Sequence, residues 1–324
     1  MGSISVETKR IDELANAEAV GSDKDLLLIR QADGTGTKNI TVGAFRKAMT
    51  GDLEGLNTEE KDSLVAAINE VLGIDKKNAK SIEDLQSLCN VLTYDSAGLH
   101  NSLWRGEYLG DSLTAEQSAA IRSGKFTGLW IGDYWTIGGV HYRIMDFDYW
   151  YQTGDATCTQ HHAVIVPDTP LYNAQMNTTN VTTGGYTGSA MYTSNLAQAK
   201  NTIKAAFGAA HILSKRELLT NATSNGNSSG WAWFDSDIEL MSEHMVYGSH
   251  AWGGGAHIGF ETGNSKSQLA GFRLLHDFQH SRAGWYWLRD VYSATYFCLV
   301  HNFGDADGNS ASVSGGVRPA FPIY

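Results

Sequence analysis

The forty residues from Trp285 to Tyr324 constrain this chain more than any other stretch. They open on Trp285, Tyr286, Trp287, Leu288 and Arg289. Near their end they run through Gly315, Gly316, Val317, Arg318, Pro319, Ala320 and Phe321. Between these anchors the chain is rich in Tyr, Ser, Asn, Asp, Gly and His. Apolar anchors around a small-polar, turn-prone middle imply a fixed scaffold that displays an adaptable surface. Tyr offers large contact area at low entropic cost, and Ser, Gly and Asn offer adaptable hydrogen bonding. This is the composition of a recognition surface.

A chain of 324 residues suits two or three domains. Nine Trp and fourteen Tyr exceed what a core needs, and 35 Gly with 18% charged residues favours loop-rich β structure. The net charge of −11 and the lack of a Lys/Arg cluster exclude nucleic acid and an anionic membrane as partners. Cys89, Cys158 and Cys298 are too far apart for a zinc site and odd in number, so buried free thiols are expected. Met1 to Glu7 lacks the pattern of a signal peptide, and no apolar run is long enough for membrane insertion.

Read in order, Ile11, Leu14 and Ala15 share a face of a short helix or turn. Leu26 to Ile29 predicts a strand, Asp33 to Gly36 a turn, Lys38 to Val42 a second strand and Val42 to Met49 a helix. Residues 56–73 predict a helix capped by Asn57 and Glu60 and stopped by Gly73. Leu64, Val65, Ile68, Val71 and Leu72 lie on one face of it. A second amphipathic segment, Ser81 to Leu92, carries Ile82, Leu85 and Leu88. Composition shifts near Leu99, which places a domain boundary at about residue 100.

Beyond it, Thr114 and Gln117 predict a capping box, and Gly138-Gly139 the turn of a hairpin. His161 to Val166 predicts a strand. Leu196, Ala199, Ile203 and Phe207 mark a helix capped by Ser194, and Ser236 caps another through Met245. Residues 221–230 and 249–267 predict long loops. Strands follow near 285–289, 295–303, 309–314 and 317–323, with a turn at Gly304 to Gly308.

Three sets of residues resemble known families. The order strand, glycine turn, strand and Thr41-Val42-x-x-Phe45 helix resembles the N-terminal attachment modules of bacteriophage tail and head fibres. Leu56 to Val71 resembles a segment recurring in phage fibres. From about residue 103, the chain resembles bacterial and phage domains with distant C-type-lectin-type folds, related to the formylglycine-generating-enzyme architecture. The carrying residues are Leu109-Gly110, Ile131 to Trp135, Leu171-Tyr172-Asn173, Trp287-Leu288-Arg289 and Gly316 to Phe321.

The resemblance implies a virion fibre or receptor-binding protein, a homotrimer, with other virion proteins at its N-terminus and a host-surface glycan or protein at its tip. It also implies that the C-terminal run is of the kind a diversity-generating retroelement rewrites. The positions so implied are Tyr286, Tyr292, Thr295, Leu299, His301, Asn302, Phe303, Asp305, Asp307 and Asn309. Strand alternation points Leu299, His301 and Phe303 one way, and Cys298 and Val300 the other. Trp252, inside a glycine-rich loop, joins them as a candidate contact.

Enzymatic motifs are weak. His161 and His162 are adjacent and point to opposite faces of a strand, so they do not suit one ion. Asp305-x-Asp307-Gly308-Asn309 lacks the glutamate of a calcium loop. Cys298 has no second cysteine near it for formylglycine-generating chemistry. Glu239 and Glu243 read as surface carboxylates on a capped helix, and Arg289 and Arg318 as structural cations among aromatic rings. No catalytic residue, metal or cofactor is expected. The expectation is an α+β chain with a small N-terminal attachment module over 1–52, a helical stem over 53–99 and a C-type-lectin-like distal domain over 100–324. Its function would be adhesion by a virion fibre. The alternative is a purely architectural virion protein, a head decoration or baseplate component.

Overall fold

The computed structural model describes residues 26–30, 37–50, 58–59, 64–92, 96–251, 267–279 and 284–324. The fold is mixed α and β, in two compact units, Met1–Cys89 and Asn90–Tyr324. In the first, β1 (Leu26–Arg30) pairs antiparallel with β2 (Thr37–Thr41), Leu26 opposite Thr41. The Thr41 hydroxyl accepts a bond from Ala44 N at 3.1 Å, which starts α1 (Val42–Thr50). The expected turns at 11–15 and 33–36 and the Asn57–Glu60 cap lie outside the described residues.

The pattern predicts two stem helices parted at Gly73, but the structure has one, α2 (Leu64–Leu92). A glycine inside a helix costs only about 1 kcal/mol relative to alanine. Helix-forming sequence on both sides overrides that. An added methyl at Gly73 meets nothing within 4 Å. Gly73→Ala is therefore expected to stabilise α2 by about 0.5–1 kcal/mol, read from the helical signal in thermal unfolding. A loss of stability would show that this position is crowded.

Because α2 is unbroken, its two apolar stripes share one seven-residue frame. With Ile68 as a, Ile82 is also a, and Val71 and Leu85 are d. Val65 and Leu72 fall at e, and Ile74 and Leu88 at g. Glu70, Lys76, Lys77, Lys80, Glu83 and Asp84 all fall at b, c or f. The eight apolar residues are 45–67% exposed. Cys89, expected to be buried, is exposed at an a position.

The second unit opens with α3 (Ala97–His100), β3 (Tyr108–Gly110), α4 (Ala115–Arg122), β4 (Tyr134–Ile137), β5 (Val140–Phe147), β6 (Ala163–Pro167) and β7 (Tyr172–Gln175). Next come α5 (Ala197–Phe207), β8 (Lys215–Ser224), β9 (Asn227–Ser236), β10 (Glu239–Leu240), α6 (Glu243–Tyr247) and α7 (Ala270–Leu274). It closes with β11 (Tyr286–Val291), β12 (Tyr296–Val300), β13 (Ala306–Ser310), β14 (Ser314–Val317) and β15 (Pro319–Ile323). One sheet has the order β10-β15-β6-β5-β4-β3, a second β13-β12-β11-β14-β7, and β8 and β9 form a separate hairpin.

Several local signals act as the sequence implies. Thr114 and Gln117 form a reciprocal capping box on α4, and β4 and β5 join through Gly138-Gly139. Others do not. Residues 221–230, expected as a loop, belong to the β8–β9 hairpin. Asn225 and Gly226, with φ of 51° and 80°, supply its tight turn. Ser194 does not cap α5; its hydroxyl bonds Ala190 O inside a preceding π-helical turn. The helix expected from Ser236 begins only at Glu243, capped by Ser242 Oγ. Glu239 therefore lies on a strand, and both Glu239 and Glu243 are buried rather than on the surface.

Three apolar layers alternate with the two large sheets. One face of the six-stranded sheet carries Trp135, Tyr142, Ile144, Ile165 and Phe321. Its other face meets the five-stranded sheet through Val164, Val166 and Ala320 against Tyr286, Leu288, Cys298 and Val300. The far face of that sheet buries Trp287, Val291, Phe297 and Leu299 with Met176, Tyr186 and Met191. Strands β11 and β12 are thus covered on both faces.

Arg318 is the single residue between β14 and β15, where the chain crosses from one sheet to the other. Its Nε donates to Pro167 O at 2.8 Å and its Nη1 to Phe278 O at 3.1 Å, while the guanidinium lies over the Tyr286 ring. A planar fork fits those carbonyls where a point charge does not. Just before the corner, a methyl on Gly316 would meet Trp285 O at 2.7 Å and Pro170 at 2.6 Å, so only glycine fits.

On β8, Glu217 is fully buried. Its Oε1 accepts from Arg289 Nη1 at 2.9 Å and Trp150 Nε1 at 3.2 Å, and its Oε2 from Lys215 Nζ at 3.1 Å and from the Ser236 hydroxyl. Burial opposes ionisation, but Arg289 and Lys215 outweigh it and hold this carboxyl well below the usual range.

His162 is also fully buried. Its Nε2 accepts from Trp150 N at 3.1 Å, so its Nδ1 carries the proton and donates to Gln160 O at 3.0 Å. Asp148 lies 3.9 Å away. Burial, with Lys215 and His161 nearby, lowers its pKa to about 4. A depressed folded value favours the neutral ring. The stability it contributes is present above the unfolded value near 6.5 and is lost as pH falls through about 4, some ~3 kcal/mol in all. Urea unfolding between pH 7 and 4 is expected to show this decline, and His162→Gln is expected to flatten it by about one proton. Equal slopes in the two proteins would contradict the assignment.

Candidate functional site

The candidate recognition face is built on β11, β12 and β13. The β11–β12 connection is tight, with Tyr292 N and Ser293 N both donating to Tyr296 O, at 3.0 and 3.1 Å. Tyr292 is half-buried; its ring covers Gly308, where an added methyl would come within 2.6 Å. Thr295 is exposed beside it. The β12–β13 turn runs from His301 to Asp305, closed by His301 N to Asp305 O at 2.8 Å and Gly304 N to His301 O at 2.9 Å. Gly304 has φ of +93°, which a side chain would strain. The Tyr247 hydroxyl ties the turn to α6 through Gly304 O at 3.0 Å.

On this pinned turn Phe303 is 80% exposed, with Asn302 and Asp305 exposed beside it. His301 is half-exposed, its Nδ1 3.5 Å from Asp305 Oδ1 and its ring 5.3 Å from that of Phe303. Asp307 and Asn309 follow on β13, the edge strand, opposite Leu299 and Phe297. Asp307 is exposed and Asn309 half-buried. The expected turn at Gly304 to Gly308 is thus earlier, and Asp307, Gly308 and Asn309 are strand residues. Carboxylates on an edge strand also discourage pairing with another sheet.

Two of the expected contact residues are not on this face. Tyr286 is fully buried between the sheets, its hydroxyl bonded to Gln279 O. Leu299 is 2% exposed and packs in the far core layer. The alternation along 296–303 is real, but both faces of β12 are covered, so alternation does not select a solvent side. The run Phe297-Cys298-Leu299-Val300 is continuously apolar, which is the mark of a strand buried on both faces. Trp252 lies outside the described residues. The structure adds Tyr296, which is 36% exposed next to Thr295, at a position where the sequence shows only another aromatic.

His161 and His162 do not converge. His161 Nδ1 meets Asp148 Oδ2 at 2.7 Å and its ring stacks on Tyr151. Among the described residues, one group brings potential metal ligands together: Glu243, His250 and Asp290, each offering one atom, all within 4.8 Å of one another. Burial and the neighbouring Glu243 raise the Asp290 carboxyl above its usual range. No sequence signal marks this group, because Asp290 is distant in the chain from Glu243 and His250. Among the described residues, no helix is long and apolar enough to cross a membrane. Comparison with protein-family models, with curated proteins and with solved structures gives no match to this chain.

Proposed function

We propose that this chain is a phage virion fibre protein that binds a host cell-surface glycan or protein through a C-type-lectin-like distal domain. Residues 1–52 would attach it to other virion proteins, and α2 would form a three-stranded coiled-coil stem. The observation that carries the reading is Phe303, a largely exposed aromatic on a turn held by three hydrogen bonds and flanked by Asn302, Asp305 and His301. Folding does not need an aromatic there. A rigid aromatic anchor with adaptable polar neighbours is what recognition surfaces use. Should a retroelement diversify this run, Tyr286 and Leu299 would be held constant by the core, and Asn302, Phe303, Asp305, Asp307 and Thr295 would vary.

For the stem, charge at b, c and f, with Asp75 alone at an a position, and apolar residues at a, d, e and g leave a face wider than two helices cover. Three tips on one stem, repeated on a particle, would raise avidity by about 10² to 10⁴ without new contacts. Particles assembled with the chain lacking residues 1–50 are expected to lose it, while that purified remainder still binds host cells. If the remainder binds no cell surface and particles need residues 295–309 to assemble, the face contacts a virion subunit and the adhesin reading fails.

A further inference from the structure

We propose that Glu243, His250 and Asp290 form a site for one divalent first-row transition-metal ion. The site is assembled from three separate pieces of backbone. Ser242 caps α6 and so sets Glu243 at its first turn, facing inward and fully buried. Gly248, with φ of +79°, reverses the chain after α6 and returns His250 to that same end. Asp290 reaches in from β11.

The geometry favours an ion over an ordinary salt bridge. His250 Nδ1 lies 3.4 Å from Glu243 Oε2 and 3.9 Å from Asp290 Oδ1. Both ring nitrogens are buried and neither makes a well-aligned hydrogen bond among the described residues; the nearest approach, Nδ1 to Glu243 Oε2, is long at 3.4 Å. A protonated imidazole paired with these carboxylates would hold an N–H on one of them at about 2.7–2.9 Å, shorter than the 3.4 Å seen here. Ligand atoms about 2.0–2.2 Å from a common ion stand about 3–4.4 Å apart. The observed separations need only small side-chain shifts to reach that span.

The other carboxylate contacts fit a supporting shell. Glu243 N donates to Asp290 Oδ2 at 2.7 Å, which leaves Asp290 Oδ1 turned toward His250. The Cys298 thiol is hydrogen-bonded to Glu243. The His244 ring packs edge-on against His250 at 4.2 Å and fixes its plane. One imidazole nitrogen and two carboxylate oxygens suit Mn²⁺, Fe²⁺, Co²⁺ or Zn²⁺; all-oxygen sites suit Mg²⁺ and Ca²⁺. An ion here would tie the start of α6, the 248–251 segment and β11 together. The inference does not depend on what the β12–β13 turn binds.

The test uses the full chain, freed of metal by a chelator and titrated separately with Zn²⁺ and Mn²⁺ by calorimetry and thermal melting. The expected result is one ion per chain. At a free ion concentration a hundred times Kd, the distal unit is expected to melt about 5–10 °C higher. His250→Ala and Asp290→Asn are each expected to weaken binding at least about 100-fold. Asp155→Asn, which alters the surface Asp155–Arg216 pair, is expected to leave metal binding unchanged. Electron paramagnetic resonance of the Mn²⁺-loaded wild type reads the site without any substitution, and coupling to one imidazole nitrogen is expected. No stoichiometric binding of either ion, undiminished binding in His250→Ala, or Mn²⁺ without nitrogen coupling overturns the proposal.

Discussion

Replacing Ile68, Val71, Ile82 and Leu85 together by serine is expected to turn an oligomer of three times 35.2 kDa into a 35.2 kDa monomer, measured by sedimentation equilibrium. These four side chains, with Val65, Leu72, Ile74 and Leu88, remain about half in solvent or more within a single copy. Burying one such side chain fully contributes about 1.5–3 kcal/mol. An isolated helix has little stability of its own, since most helical stability comes from packing an apolar face. In the proposed stem, another copy of the same helix would supply that packing in register. Asp75 and Asn78, the polar a and d residues in the middle, would fix the register at some cost in stability. The distal unit has its own cores, so its melting transition should survive in the serine variant. A wild-type chain that sediments as a monomer at micromolar concentration would remove the stem.

Glu217→Ala is expected to lower the stability of the distal unit by about 3–5 kcal/mol, because it strands two buried cations rather than merely deleting a contact. Arg289 and Lys215 both direct a charge at this buried carboxylate. For a unit of this size the melting temperature should fall by about 6–20 °C. Asp155→Ala breaks the Arg216 pair at the surface, 2.8 Å long, and should leave the melting curve nearly unmoved. A second variant isolates the cause. Replacing Glu217, Arg289 and Lys215 together by apolar residues of similar volume should recover most of the loss, since no charge is then left buried alone. If the triple replacement is as damaging as Glu217→Ala, packing rather than charge explains the effect.

What the sequence made legible follows local rules. The Thr114–Gln117 cap, the Gly138-Gly139 turn, the β1–β2 hairpin and the aromatic anchors around Trp287 all form as read, because each is decided by neighbours in the chain. Arg318 holds carbonyls and stacks on Tyr286 as expected, whereas Arg289 answers Glu217, a partner 72 residues away. Tertiary context decided the rest. Gly73 did not stop a helix, because its local penalty is small. Leu299 turned inward, because a second apolar layer covers what alternation alone would leave to solvent. Glu243 and Glu239 left the surface once the Ser236 segment proved to be strand before helix. Glu243, His250 and Asp290 meet only through the reversal at Gly248 and the placement of β11, which no spacing in the sequence reveals. Within the candidate face, a turn after the apolar run of β12 was legible but was placed too late, at Gly304 to Gly308, because Asn302 and Phe303 read as a continuation of the strand.

The central claim is that the β12–β13 turn and its edge strand grip a foreign surface. The most direct measurement is saturable binding of the labelled full chain to a panel of bacterial cells, beside a Phe303→Ala/Asp307→Ala variant. Binding to at least one strain is predicted, weakened at least about 30-fold in the variant while its melting temperature stays that of the wild type. Binding to none of the strains, or equal binding by the two proteins, would contradict it.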